Sequence, residues 1–253
     1  MGESMDRLIS ATRQLLETEL ILGGRFLPAE RNPLPSASDE EPPEAARETA
    51  SAAEQARLLE EIDAGQVRGC KRCRLAQGRT QTVFGEGRPQ AQLVFIGEGP
   101  GEEEDRTGRP FVGRAGELLT RMIQAMGLAR RDVYICNLVK CRPPGNRAPM
   151  SDEVQACWPY LMRQLRIISP RVIVALGNPA TQNLLTTAVG ITKLRGQWQK
   201  LPPWEEGLDD IAVMPTFHPA YILRQYNQAT RAKVWSDLQQ VMAYLGLRGR
   251  MKA

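Results

Sequence analysis

Four short runs of uninterrupted apolar residues constrain this chain more than any other feature: Leu93-Val94-Phe95-Ile96, Val133-Tyr134-Ile135-Cys136, Val172-Ile173-Val174-Ala175-Leu176 and Ile211-Ala212-Val213-Met214. A strand with one wet face alternates apolar and polar residues, whereas a run apolar throughout is covered on both faces, as in a parallel sheet. Between the runs the apolar residues recur at helical spacing. The spacing predicts helices over 116–126 and 151–168, with Ser151 as N-cap, another opening near Asn178-Pro179, and a last pattern reaching Leu245. Strands alternating with helices predict an α/β chain: a three-layer α/β/α sandwich around a central, mainly parallel four-stranded sheet. In open sheets of this kind ligands bind beyond the carboxyl ends of the strands.

Those ends carry Gly97-Glu98-Gly99-Pro100-Gly101, then Asn137, Gly177-Asn178 and Phe217-His218-Pro219, which includes the one histidine of the chain. The glycines do not make the G-x-G-x-x-G fingerprint, and no G-K-[ST] follows to mark a phosphate loop. Glu102-Glu103-Glu104-Asp105 repels a phosphate. That stretch reads either as a solvated charge run or as the cation site of a metal-dependent nuclease.

The 253 residues divide unevenly in charge. Residues 1–65 hold 14 acidic and 6 basic side chains, so of the 29 acidic and 33 basic residues in the chain, 15 and 27 fall in 66–253. An acidic arm thus precedes a basic domain, and a basic domain favours a polyanion, nucleic acid before membrane. In the arm, helical spacing from Leu8 to Leu20 is followed by a Pro-, Ser-, Glu- and Ala-rich stretch over 28–46 that lacks the apolar surface to order itself. A second helical pattern covers 50–62. The division expected is an arm over 1–65, free to dock a protein the sequence does not identify, a domain over 66–248 and a tail over 249–253. No run approaches the roughly 18 residues of a membrane span and no secretory pattern opens the sequence, so a cytoplasmic monomer is expected.

Five cysteines fit poorly with a fully paired disulfide framework. Cys70-x-x-Cys73 lies in a basic segment, and fifteen residues separate Cys141 from Cys157. That spacing suits a four-cysteine zinc site and an iron–sulfur cluster alike. Cys136, inside a strand pattern, reads as a small core residue. Lys71, Arg72 and Arg74 either lie along a nucleic-acid backbone or are ordinary solvated charges.

Gly97-Glu98-Gly99-Pro100-Gly101-Glu102-Glu103-Glu104-Asp105 with Thr107-Gly108-Arg109-Pro110-Phe111-Val112-Gly113 resembles the first motif of family 4 uracil-DNA glycosylases. Asn137-Leu138-Val139-Lys140-Cys141-Arg142-Pro143-Pro144 and Pro215-Thr216-Phe217-His218-Pro219-Ala220 resemble the second and third, in the same order. The similarity runs from about Cys70 to Leu245. It implies excision of uracil from DNA and a [4Fe-4S] cluster on Cys70, Cys73, Cys141 and Cys157. It further implies that Phe111 stacks on the flipped base, that the Asn137 amide reads its O4 and N3–H edge, and that main-chain N–H groups at Glu98 and Gly99 add donors. By the same resemblance Glu104 crowds C5 against thymine and His218 supports the leaving anion at O2. Family 1 enzymes carry an Asp where Gly99 stands here, which leaves Glu98 and Asn137 to orient the water. Ala220, Tyr221, Ile222, Leu223 and Arg224 form the expected wedge, with Arg224 near phosphate. The rival readings are a DNA-binding protein of this fold without turnover, one that attaches to its abasic product, a nuclease using the acidic residues 102–105, and a zinc-stapled interaction domain.

Overall fold

A computed structural model describes residues 51–204, 207–208 and 210–247. The helical pattern at 8–20, the stretch over 28–46 and the tail over 249–253 lie outside the described residues.

Six strands form one sheet: β1 (Glu86–Gly87), β2 (Leu93–Gly97), β3 (Tyr134–Asn137), β4 (Val172–Leu176), β5 (Gln199–Lys200) and β6 (Ala212–Thr216), in the order β1-β3-β2-β4-β6-β5. The four expected strands are the central ones, mutually parallel, with Gly97 opposite Asn137, Ile96 opposite Ala175 and Leu176 opposite Thr216. The expected count of four is corrected to six. β1 and β5 pair antiparallel at the edges and are two residues each, too short to show any periodicity in sequence.

The helices are α1 (Ala52–Ile62), α2 (Glu102–Thr107), α3 (Arg114–Ala125), α4 (Ser151–Ile168), α5 (Asn178–Leu185), α6 (Ile191–Leu194), α7 (Pro219–Arg224) and α8 (Gln228–Tyr244). Successive residues of each central strand point to opposite faces, and the core divides accordingly. Val94, Ile96, Cys136, Ile173 and Val213 pack with Leu161 and Leu165 of α4 and Leu184 of α5. Leu93, Phe95, Ile135, Val174 and Met214 pack with Leu119 and Ile123 of α3 and Trp235 and Leu238 of α8. This is the expected three-layer sandwich. No helix among the described residues is long and apolar enough to cross a membrane.

Two boundaries move. Met150, not Ser151, caps α4: its N–H donates to Glu153, which reaches back at 2.7 Å. And α1 belongs to the domain rather than to the arm. Leu59 and Ile62 are buried in the core, and the Gln55 side chain donates to the Ile167 carbonyl at 2.7 Å. Its acidic residues lie on the other side, so a count of charge assigned the whole helix to the acidic segment.

β2 lies between β3 and β4, and the chain leaves β2 towards β3 but leaves β4 towards β6. The carboxyl ends of β2 and β4 therefore flank a topological switch point, where such sheets open a crevice.

Candidate active site

A cleft of about 710 Å³ opens there, lined by Glu98, Gly99, Glu104, Phe111, Asn137, His218, Ala220, Tyr221 and Arg224, among others. The carboxyl ends of β2, β3 and β6 and the loops after them thus bring together every expected base-contacting residue.

His218 follows β6 and caps α7. Its Nδ1 accepts from the Ala220 backbone N–H at 3.1 Å. A neutral imidazole with an acceptor at Nδ1 carries its proton on Nε2, so the free edge of the ring is a donor. Burial lowers its pKa to about 4, helped by the charge of Arg224 and opposed by Glu104. The strand end that delivers it is tied down: Thr216 Oγ1 donates to Asp237 at 2.6 Å, and Arg195 pairs with the same carboxylate. Burial pushes Asp237 up to about 6, against the pull of Arg195 and Thr216.

Asn137 ends β3 and is fully buried, and its side-chain Oδ1 has no hydrogen-bond partner in the protein. A buried amide oxygen left unpaired costs about 1–3 kcal/mol, so this one is set up for a donor from elsewhere. Gly97 makes the room. A Cβ there would lie 2.4 Å from Asn137 Oδ1 and 2.5 Å from Phe111 Cζ. Phe111 lies buried in a left-handed backbone conformation (φ +52°), with its ring centroid 5.7 Å from that of His218.

Glu104 is a loop organiser as well as a wall of the cleft. One carboxylate oxygen accepts from the N–H groups of Val112 (2.8 Å) and Gly113 (2.9 Å), and the other from Gly101 (3.1 Å). Glu98 differs: burial alone raises its pKa. At Gly99 an added Cβ would meet Val139 Cγ2 at 2.9 Å, so the place of the family 1 Asp is closed by packing.

The expected wedge needs correction. Ile222 is buried in the core with α3 and α8, and Leu223 packs partly against it. One helical turn after Pro219 aims residue 222 inward. Tyr221 is exposed, its ring 4.9 Å from that of Phe217, and Ala220, Tyr221 and Arg224 line the cleft.

The four carboxylates of 102–105 do not converge. Glu103 pairs with Arg106 (2.7 Å), buried Asp105 accepts from the Thr80 N–H (3.0 Å), Glu102 faces Arg142 (3.5 Å) and Glu104 binds its three amides. Among the described residues these carboxylates form no group of three or more placed to hold a metal ion. Among the described residues the nuclease reading finds no site.

Cys70, Cys73, Cys141 and Cys157 line one small pocket behind the sheet, together with Arg79 and Lys140. Arg79 donates to Cys141 Sγ at 3.1 Å, the Lys140 N–H to Cys157 Sγ at 3.3 Å and the Tyr160 hydroxyl to Cys70 Sγ at 3.4 Å. Burial raises the thiol of Cys157 to about 11, and it raises that of Cys141 against the pull of Arg79. Cys136 is a buried core residue, as expected. Of the basic residues beside the C-x-x-C, Arg74 pairs with Asp152 (2.6 Å) and Arg72 lies over the Tyr160 ring (5.6 Å), so both engage the protein.

Sequence reasoning gave no role to Lys140. Its side chain is fully buried, and Nζ donates to the Asn137 carbonyl at 2.9 Å while its own N–H faces Cys157. One residue thereby touches both the cysteine pocket and the strand end that carries Asn137. Arg130, also unforeseen, grips the turn that carries Phe111.

The chain is thus an α/β protein with a cleft at the switch point of its sheet, walled by an imidazole donor, an open amide and an aromatic ring. The sequence profile of the Uracil DNA glycosylase superfamily matches residues 84–239, and the chain belongs to that superfamily. The type-4 uracil-DNA glycosylase of Thermotoga maritima is 46% identical over 195 residues, 76% of this chain and 97% of that protein. That of Sulfurisphaera tokodaii is 48% identical over 181 residues, 70% of this chain and 80% of its own length. A type-5 enzyme of Thermus thermophilus is 35% identical over 118 residues, 41% of this chain and 53% of its own.

Proposed function

We propose that this chain is a uracil-DNA glycosylase: it takes a uracil nucleotide out of the DNA stack, hydrolyses its N-glycosidic bond and leaves an abasic site for base excision repair. The observation that carries this reading is the meeting of the unpaired Asn137 Oδ1, the His218 Nε2–H edge and the Phe111 ring around one cleft. Asn137 Oδ1 accepts from uracil N3–H and its amide group donates to O4, a pair of contacts that cytosine inverts. Phe111 stacks on the ring. As the bond to the sugar breaks, negative charge develops on the base, and a fixed neutral donor aimed at O2 stabilises it without reorganising. Tyr221, a large exposed aromatic side chain lining the cleft, fills the gap left in the duplex.

Two carboxylates line the cleft, and Glu104 is taken up by backbone amides. That leaves Glu98, whose pKa burial raises, to orient the attacking water on the sugar. The four cysteines fit a [4Fe-4S] cluster: they are four thiols around one pocket, supplied with N–H and O–H donors to sulfur. When bound, the cluster supplies thiolate–iron cross-links between the 70–73 segment and the two ends of the 141–157 segment.

The test is direct. Labelled DNA with one uracil is incubated with the protein in excess chelator, then treated with alkali. Alkali-dependent cleavage at the uracil is the expected result. Intact DNA after alkali, or cleavage without alkali, would overturn the reading.

A further inference from the structure

We infer that Arg130 is a positioning residue that sets the base-stacking ring of Phe111, an inference that rests on the function proposed above. Phe111 holds a backbone conformation that an aromatic residue rarely adopts, with φ +52°. Such a conformation persists only where its surroundings over-determine it. Two features do so. At Gly116 of α3 an added Cβ would lie 1.9 Å from the Phe111 carbonyl oxygen, so the helix start closes against this turn. The second is Arg130, in the turn before β3.

Every N–H of its guanidinium is used. Nη1 donates to the Phe111 carbonyl (2.9 Å) and to Thr120 Oγ1 (3.3 Å), and Nη2 donates to the Pro110 carbonyl (2.7 Å). Nη2 and Nε also donate to Glu86 Oε1, at 2.6 and 3.0 Å. Glu86 is itself fixed by β1, which pairs with β3 opposite Ile135, and by Arg109 at 2.8 Å. A planar fork thus ties two successive carbonyls of the Phe111 turn to α3 and to the sheet edge. Arg130 does not line the cleft, and its donors are filled by protein, so it acts through Phe111 and not on the base or a phosphate. Lysine keeps the charge and a contact to Glu86 but cannot reproduce the fork.

The experiment uses the full chain as wild type, Arg130→Lys, Phe111→Leu and the double variant. Thermal melts establish that each is folded. Single-turnover uracil excision and the imidazole proton signals of the one histidine are then measured. His218 sits 5.7 Å from the Phe111 ring, so its signals report where that ring lies. Arg130→Lys is expected to slow excision about ten- to a hundredfold, the scale of a misplacement of about 1 Å, and to shift the His218 signals towards those of Phe111→Leu. The double variant is expected to be no more than about twofold slower than Phe111→Leu, because residues acting as one unit are non-additive. Multiplied losses in the double variant, or Arg130→Lys with wild-type rate and wild-type His218 signals, overturn the inference. A Phe111→Leu variant that excises at the wild-type rate also overturns it. A wild-type protein that releases no uracil overturns the functional reading instead, and the His218 signals then still decide whether Arg130 sets the ring.

Discussion

An ordinary histidine with a pKa near 6.5 is about three-quarters protonated at pH 6, whereas His218, held at about 4, is neutral in all but about one molecule in a hundred. The cause is geometric. Burial disfavours the cation, the charge of Arg224 adds to that, and Nδ1 faces the Ala220 N–H, which leaves no place for a second proton. Lowering the pH is therefore the perturbation, and the NMR titration of this single imidazole is the assay. The expected midpoint lies near 4, with no shift between pH 8 and 6. Stability follows the same group. The folded pKa is depressed below the unfolded one, so its contribution is full above about 6.5 and is lost as the pH falls towards 4. Moving from pH 7.5 to 5 should cost about 2 kcal/mol through this residue, seen in urea melts as a drop that His218→Asn lacks. Single-turnover excision at pH 6 should match that at pH 8 as far as His218 is concerned. Any acid limb above 4.5 should belong to Glu98, whose pKa burial raises, and should vanish in Glu98→Gln. A histidine midpoint near 6.5 would refute the buried, amide-locked donor.

Asn137→Asp loses the amide donor to O4, and excision of uracil should fall about ten- to a hundredfold, the equivalent of one unpaired buried group; a folded variant with the wild-type rate would remove Asn137 from base reading. The purified protein should be brown with equal iron and acid-labile sulfide, and Cys141→Ser/Cys157→Ser should be colourless while Cys136→Ser keeps its colour. Full colour in the double variant would move the cluster elsewhere. Deleting residues 1–50 should leave excision intact and strengthen non-specific DNA binding at low salt, because the deleted segment is acidic. Deleting 1–65 should instead unfold or aggregate the protein: it strips Leu59 and Ile62 from the core, at about 1.5–3 kcal/mol each out of a total stability of about 5–15. Equal melting temperatures for the two truncations would contradict the packing of α1.

The four central strands could be read from the chain because burial on both faces writes a run with no polar residue in it. The two edge strands could not, since two residues such as Glu86-Gly87 have no period. Nor could the place of α1. Charge is a property of composition, and Glu54, Glu60 and Glu61 sit on the same helix as the buried Leu59 and Ile62. Only the 3.6-residue period separates those two faces. The same period, applied to the six residues of α7, would have taken Ile222 out of the wedge, because a residue three positions after Pro219 shares its inward side; both are buried.

The chemical groups of the site were legible because the topological rule pointed to strand ends and those ends carry unusual residues. What holds them was not, and the reason is common to each case. Arg130 lies 19 residues from Phe111 in sequence, Asp237 lies 21 from Thr216, and Gly97 matters through the space it leaves for Asn137 and Phe111. Each acts by a contact between elements, and a lone Arg in a turn, Asp in a helix or Gly at a strand end has no local pattern to announce what it touches. Lys140 is the instructive exception. A lysine between Asn137 and a cysteine at 141 is three residues from one and adjacent to the other, so its contact with the Asn137 carbonyl is local. Its burial is what sequence could not supply. A buried lysine is costly unless its polar end finds a partner, and this one spans from a strand-end carbonyl to the wall of the thiol pocket. The carboxyl end of β3 and the cysteine pocket are therefore joined through one residue, Lys140, whose N–H meets Cys157 Sγ and whose Nζ meets the Asn137 carbonyl.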